Sequence, residues 1–191
     1  MPPKKKFSEE QVVDAAFNVA KTEGIDNITI RKVAELLGSS IAPIYVNFTD
    51  VEELKRAVIK KVSQLSHQLI AEQNTGSPFG DIGAASLQFA KEYPVLIRDF
   101  IMKPNEYLQD YDQSMGAELV SHMKTDPELE GFTDEELAMI LFKMRVFQVG
   151  LSIMVANGLL PPEIDLKKMN EISNSAAEDV IIGTRFRKEG G

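Results

Sequence analysis

The 191-residue chain contains no cysteine and only two histidines, His67 and His122. Without cysteine the chain has no disulfide, no iron–sulfur cluster, no zinc finger and no thiol nucleophile. Two histidines leave little room for a histidine-based metal site or a catalytic triad. We therefore expect no metal and no cofactor.

Long apolar stretches are also missing. No apolar run approaches the roughly 18–20 residues that are needed to span a bilayer. The N-terminus reads Met1-Pro2-Pro3-Lys4-Lys5-Lys6 and continues into an amphipathic segment, without the apolar stretch of a signal peptide. These features predict a cytoplasmic protein with no membrane partner.

The common catalytic motifs are not present. The sequence has no Gly-rich phosphate loop, no nucleophile elbow and no zinc-binding HExxH pattern. The carboxylate run from Asp126 to Glu136 lacks the spacing of a calcium loop, and we interpret it as a solvated loop that leads into a capped helix. We expect that the protein is not an enzyme.

The net charge of −8 is unevenly distributed. Residues 1–62 hold ten Lys and Arg against nine Asp and Glu, whereas residues 63–191 hold eleven against twenty. The N-terminal part is therefore the only one that can lie beside phosphates without strong repulsion, although chance and solubility would also explain the split. We expect the acidic remainder to face away from DNA.

Helix signals dominate the chain. Ser8 with Gln11, and Thr133 with Glu136, form the capping-box pattern that opens a helix. Polar or Pro-containing breaks at residues 73–78, 93–94, 103–104 and 161–162 separate the helical segments, and we expect the helix after the first break to begin near Asp81. The pattern predicts an all-α fold of about nine helices without strands, ending in a frayed tail from Arg185. We divide it into a three-helix domain over residues 1–62 and an antiparallel helical bundle over residues 63–191.

Residues 29–48 have the pattern of a helix-turn-helix. Ala34 is small enough for two helices to cross closely, Gly38 permits a positive φ at the turn, and Ile44 anchors the second helix in the core. Pro43 falls in the first turn of that helix after a Ser40 cap, where its missing N–H would have no intrahelical partner. This geometry presents one helix to a major groove, although an αα-corner inside a helical bundle has the same spacing.

Several side chains of this motif are suited to DNA. Ala42 and Pro43 are small and apolar, as a contact with a thymine methyl requires. Thr29, Tyr45 and the start of the helix at Asp50 are suited to phosphates, and Lys4–Lys6 to the backbone or a minor groove.

The segments Ile28–Ser40 and Ile44–Phe48, followed by Glu53-Leu54, resemble the N-terminal domain of the TetR family of repressors, over about residues 7–60. The resemblance implies an all-helical homodimer in which each N-terminal domain reads one half of a palindromic operator. It also implies a divergent C-terminal domain that dimerises and binds an inducer.

The resemblance matches Thr29 and Tyr45 to phosphate-contacting positions and residues 39–45 to the recognition helix. Asn47 stands where the family often has histidine, and Val51 where it usually has lysine, so that backbone amides or Lys55 must compensate. The expected DNA-contacting residues are Thr29, Arg31, Ser39, Ser40, Ala42, Pro43, Tyr45, Asn47 and Lys55.

The helix expected over residues 133–156 carries two apolar stripes. A helix that is apolar on two sides must be covered on two sides. One cover is the core of its own domain, and the second is most simply another subunit. We expect a homodimer through the last two helices, with a central helix buried in a monomer as the alternative.

Aromatic and methionine side chains are plentiful between residues 79 and 154, which favours a pocket for a small hydrophobic or aromatic effector over that span. Plain core packing is the alternative for each of them. Arg145 and Gln148 are polar residues on the most apolar helix, and they either orient an anionic or carbonyl group of a ligand or pair across the dimer interface. The expected ligand-binding residues are Phe89, Tyr93, Phe100, Tyr107, Tyr111, Met115, Arg145 and Gln148.

Together these patterns predict a DNA-binding transcriptional regulator, a ligand-responsive repressor that binds a palindromic operator as a dimer and is released by a small hydrophobic effector. A helical-bundle interaction protein without DNA binding is the alternative from another class. Within the family, an activator or an effector-independent regulator fits the sequence as well.

The loss of a lysine at Val51 generates a prediction. Val51→Lys should tighten DNA binding, because it restores a cation beside the phosphate at the start of the fourth helix, and the wild type should show a shallow dependence of affinity on salt. Titrations with duplex DNA at several salt concentrations measure the affinity of each protein and its dependence on salt. A variant that binds no better than the wild type would contradict the expected docking.

Overall fold

The computed structural model describes residues 6–74, 76–102 and 106–190, and the side chains of residues 102–114 lie outside this description. Within the described ranges the regular structure is helical throughout, as predicted. Two single 3-10 turns cover Ile25–Asn27 and Pro127–Leu129. The nine α-helices of the described ranges are α1 (Glu9–Glu23), α2 (Ile30–Leu36), α3 (Ala42–Tyr45), α4 (Val51–Gln73), α5 (Pro78–Glu92), α6 (Pro94–Met102), α7 (Glu106–Met123), α8 (Asp134–Ala156) and α9 (Leu166–Lys188).

Both predicted capping boxes are confirmed. The Ser8 hydroxyl accepts from the Gln11 N–H at 3.1 Å, and the Gln11 side chain accepts from the Ser8 N–H at 2.9 Å. Thr133 and Glu136 exchange the same pair of bonds at the start of α8. These caps satisfy backbone N–H groups that the first helical turn leaves without partners.

Three predicted helix ends are wrong. Helix α3 follows Ile41 and has no side-chain cap, so Ser40 does not cap it. Helix α5 begins at Pro78 under a Ser77 cap rather than near Asp81. The tail is not frayed at Arg185, because α9 continues to Lys188.

Contacts with the loop before α8 hold the end of α9 in place. Arg185 donates to the carbonyls of Glu128 and Glu130, and Lys188 donates to the Gly131 carbonyl and the Glu136 carboxylate. The hydrogen bond from Lys188 lowers the pKa of Glu136. These partners are more than 50 residues away in sequence, which is why local patterns did not reveal them.

The carboxylate run before α8 is less solvated than predicted. Asp126 is 3% exposed. Its Oδ2 accepts from the Phe79 N–H at 3.0 Å and the Ser77 hydroxyl at 3.2 Å, and its Oδ1 accepts from the Glu128 N–H at 3.0 Å. Asp126 therefore joins this loop to the start of α5.

Two main cores organise the helices. The first is built from α1 to α4 and includes Ala85, Phe89 and Leu96 of α5 and α6. The second lies among α5, α7, α8 and α9 and is centred on fully buried side chains such as Met123 and Ile140. The boundary at residue 62 falls inside α4, and the division into two domains stays a prediction.

Helix α8 is more apolar than the search for uninterrupted apolar runs in the sequence indicated. By length and composition it could cross a membrane, with a mean hydropathy of 1.6 over 18 residues, and Lys143 and Arg145 are what interrupt the run. One such helix is weak support for a membrane span, because core helices meet the same criteria. One side of α8, with Leu137, Ile140 and Met144, packs into the second core.

Candidate functional site

The helix-turn-helix has the predicted geometry. Gly38 adopts φ +60° after α2, and the Ser39 N–H donates to the Ala34 carbonyl at 2.9 Å, which closes the turn. Ala34 is buried where α2 meets the core, and Ile44 is completely buried. Because Ile44 anchors α3 from inside, the opposite side of α3 faces outward.

The segment from Ser39 to Asn47, here called the recognition segment, has no charged residue. Ser40, Ala42 and Tyr45 are exposed, whereas Ser39, Pro43 and Asn47 are half-buried. Sequence reasoning missed Ile41, which is 48% exposed. Helical spacing did not settle its position, because Ile41 precedes the exposed Tyr45 by four residues and the buried Ile44 by three, and both spacings share a helix face.

Other predicted DNA-contacting residues are partly engaged within the chain. The Thr29 hydroxyl accepts from the Lys32 N–H at the start of α2, which leaves its own O–H as a donor. Arg31 is highly exposed, with its Nε 3.3 Å from Glu35 Oε1. Asn47 donates its amide to the Phe7 carbonyl at 3.2 Å.

The start of α4 is poorly suited to a phosphate. The backbone N–H and the hydroxyl of Thr49 both donate to the Glu53 carboxylate, which lowers the pKa of Glu53. Lys55 forms an ion pair with Glu52 at 3.1 Å, and its side chain is only 14% exposed. Lys55 is therefore held by Glu52 and largely buried, and its contact with DNA stays a prediction.

A cavity of about 280 Å³ lies among α4, α5, α6, α7, α8 and α9. Of the predicted ligand-binding residues, five line it: Phe89, Phe100, Met115, Arg145 and Gln148. Tyr93 is not among its described lining residues. Its ring packs on Phe17 and Phe89, with centroids 5.8 and 5.0 Å away, and burial raises its pKa. The side chains of Tyr107 and Tyr111 lie outside the described residues.

The cavity has mainly apolar walls, with a buried polar corner where α8 meets α9. The corner is formed by Gln148, which is 9% exposed and donates its Nε2 to the Ser173 hydroxyl at 2.6 Å. Gly83 of α5 faces this pair, and a Cβ there would lie 3.0 Å from the Gln148 nitrogen. The absence of a side chain at Gly83 thus leaves room for the amide. Sequence reasoning singled out Gln148 but not Ser173 or Gly83.

Helix α6 connects the cavity to the first core. Ile97, Phe100 and Ile101 line the cavity. Between them Asp99 is 7% exposed and accepts the Ile25 N–H at 2.8 Å, beside the end of α1. A side chain at Gly24 would overlap the Asp99 carboxylate. Helix α6 therefore contacts both the cavity and the helix-turn-helix domain.

Comparison with solved structures decides the fold. A transcriptional regulator from Rhodococcus sp. Rha1 superposes with a TM-score of 0.71 at 16% identity, covering 93% of this chain and 97% of that one. A TetR-like regulator from Rhodococcus sp. RHA1 gives 0.67 at 20% identity, covering 92% and 96%. This chain has the TetR-like fold. A third match is SmeT, the repressor of the Stenotrophomonas maltophilia multidrug efflux pump SmeDEF, at 0.60 and 16% identity, covering 91% and 89%.

The sequence itself matches no protein-family model and no curated protein. The TetR-like fold is thus identified by structural similarity, at sequence identities of 16 to 20% with the solved structures, and by short sequence motifs.

The link through Asp99 is testable. Asp99→Ala should speed amide exchange at Ile25 by about tenfold or more, because it removes the acceptor of a buried N–H, whereas Asp99→Asn keeps an acceptor and should restore most of the protection. Hydrogen exchange resolved to single residues measures this.

Amides in the middle of α9 serve as the control for global unfolding. If Asp99→Ala leaves exchange at Ile25 unchanged while α9 also stays protected, the bond does not connect α6 to the end of α1.

Proposed function

We propose that this chain is a DNA-binding transcriptional repressor that binds a palindromic operator as a homodimer and is released by a small hydrophobic or aromatic effector. The proposal implies action in the cytoplasm on double-stranded DNA. It rests mainly on one observation: the recognition segment is exposed, uncharged and held outward by the buried Ile44.

The chemistry of the recognition segment suits a major groove. Small and apolar side chains allow close approach to base edges, where thymine presents a methyl group. Lys6 lies beside this surface, with its Nζ 3.3 Å from the Ser39 hydroxyl, and adds a cation for the phosphate backbone. Since Glu53 occupies the start of α4, we expect fewer phosphate contacts there and a shallow salt dependence.

The outer face of α8 supports a dimer. Phe142 and Val146 are 60% and 61% exposed, and Gly150 follows at the same helical spacing. A glycine inside an exposed helix costs about 1 kcal/mol relative to alanine, and close approach of a second helix would explain its presence. On α9, Ile182 and Phe186 are also exposed. These side chains provide the uncovered apolar side that a second subunit would bury.

Release by an effector would be a population shift. The two recognition segments of a dimer must match successive major grooves, which lie about 34 Å apart. A ligand that binds more tightly to an arrangement with another spacing favours that arrangement. Helix α6 is the element that would transmit this change, because it lines the cavity and holds Ile25 through Asp99.

Selection of duplexes from a random DNA library by the full chain tests the function. We expect a palindromic site with half-site centres one helical turn, about 10 base pairs, or a multiple of it apart. Ile41→Glu should weaken binding to that site at least about tenfold, because it brings a carboxylate to the phosphates and bases.

Ser121→Glu on α7 adds the same charge away from the recognition segment and should bind as the wild type does. Enrichment of no sequence, or equal binding by Ile41→Glu, would contradict the proposed role of the recognition segment.

The dimer gives a separate prediction. Val146→Glu places a charge on the apolar face of α8 and should shift the protein to a monomer, with a corresponding loss of operator affinity. Sedimentation at micromolar concentration measures the state, with Ser121→Glu as the matched control. A wild-type protein that sediments as a monomer would end the interface proposal.

A further inference from the structure

The polar corner of the cavity contains an unused hydrogen-bond acceptor. Gln148 is 91% buried, its Nε2 is taken by the Ser173 hydroxyl, and its Oε1 has no partner among the residues that the structure describes. A buried carbonyl oxygen without a donor costs about 1–3 kcal/mol. Because Gln148 lines the cavity, a bound molecule is in a position to supply that donor.

The rest of the cavity favours an uncharged molecule. Most of its lining side chains are apolar, and the described lining residues include no carboxylate to pair with a cation. Arg145 is the one charged side chain among them, but it lies at an exposed position and already takes part in another polar interaction. A carboxylate at the polar corner would face the Gln148 oxygen, which repels negative charge.

We propose that the cavity binds a small, uncharged, largely aromatic or aliphatic molecule that donates one hydrogen bond, from a hydroxyl or an N–H group, to Gln148 Oε1. The cavity of about 280 Å³ is at the lower end of the size range of ligand pockets, which limits the molecule to a compact one. The proposal names the chemical class of the effector and therefore rests on the proposed function.

Gly83 leaves the space in which the Gln148 amide and the Ser173 hydroxyl meet. A Cβ at residue 83 would lie 3.0 Å from Gln148 Nε2 and 3.2 Å from Ser173 Oγ, tighter than ordinary contacts. A side chain there would push the amide out of its place. Gly83→Ala thus disturbs the acceptor without changing Gln148 itself.

Three probes of matched shape test the proposal on the full-length protein. 2-Naphthol is neutral and donates a hydrogen bond, 2-methoxynaphthalene has the oxygen without the donor, and 2-naphthoate is an anion. Each competes with N-phenyl-1-naphthylamine, whose fluorescence rises in apolar sites. We expect 2-naphthol to bind about three- to tenfold more tightly than the ether, as one net hydrogen bond provides, and more tightly than the anion.

Gln148→Leu should abolish the preference for 2-naphthol over the ether while leaving the affinity for the ether similar or higher. Gly83→Ala should reduce the same preference, which keeps the test valid if Gln148→Leu fails to fold. Gln73→Leu is the matched control, because Gln73 also forms side-chain hydrogen bonds but does not line the cavity, and it should keep the wild-type preference.

A preference for the ether or the anion in the wild type, or a preference for 2-naphthol that survives in folded Gln148→Leu, would overturn the proposal. Operator affinity is measured in parallel. A Gln148-dependent probe that leaves DNA binding unchanged supports the assigned site and counts against effector release. If the protein binds its operator but does not prefer 2-naphthol over the ether, the proposed regulator function stands and the proposed hydrogen bond to Gln148 is wrong.

Discussion

The burial of Ile44 is the constraint on which the proposed DNA-binding surface depends. Ile44 is completely buried in the first core, so α3, a single turn of four residues, has its orientation set by one side chain. The opposite side, with Ala42 and Val46, then faces outward, and the exposed Ile41 and Tyr45 flank it. A helix this short has little stability of its own, and tertiary packing has to supply it. The outward position of the recognition segment therefore depends on the packing of the first core.

Helix α6 extends that dependence into the rest of the molecule. Its Phe100 lines the cavity, and its buried Asp99 holds the N–H of Ile25 next to the end of α1. The first core also includes Ala85 and Phe89 of α5, which line the cavity as well, so the cavity wall and the first core share side chains. A ligand that favours one position of α6 would act directly on the packing that orients the recognition segment. In the proposed mechanism the apolar outer face of α8 is the surface that a twofold partner would cover.

Much of the fold could be predicted because its signals are local. The Ser8 and Thr133 capping boxes and the positive φ at Gly38 follow from interactions within a few residues along the chain. The end of α9 could not be predicted, because Arg185 and Lys188 donate to carbonyls more than 50 residues away in the sequence. Asp126 was misjudged for the same reason, since the N–H of Phe79 that it accepts belongs to another helix.

The sequence by itself determined the helices, their caps and the inward and outward sides of the helix-turn-helix, because backbone hydrogen bonding and apolar periodicity act over one or two turns. Only the tertiary structure decided that Tyr93 belongs to the first core and that Gln148 meets Ser173 opposite Gly83. Such outcomes depend on how helices distant in sequence pack together, and no local pattern encodes the space that remains between them.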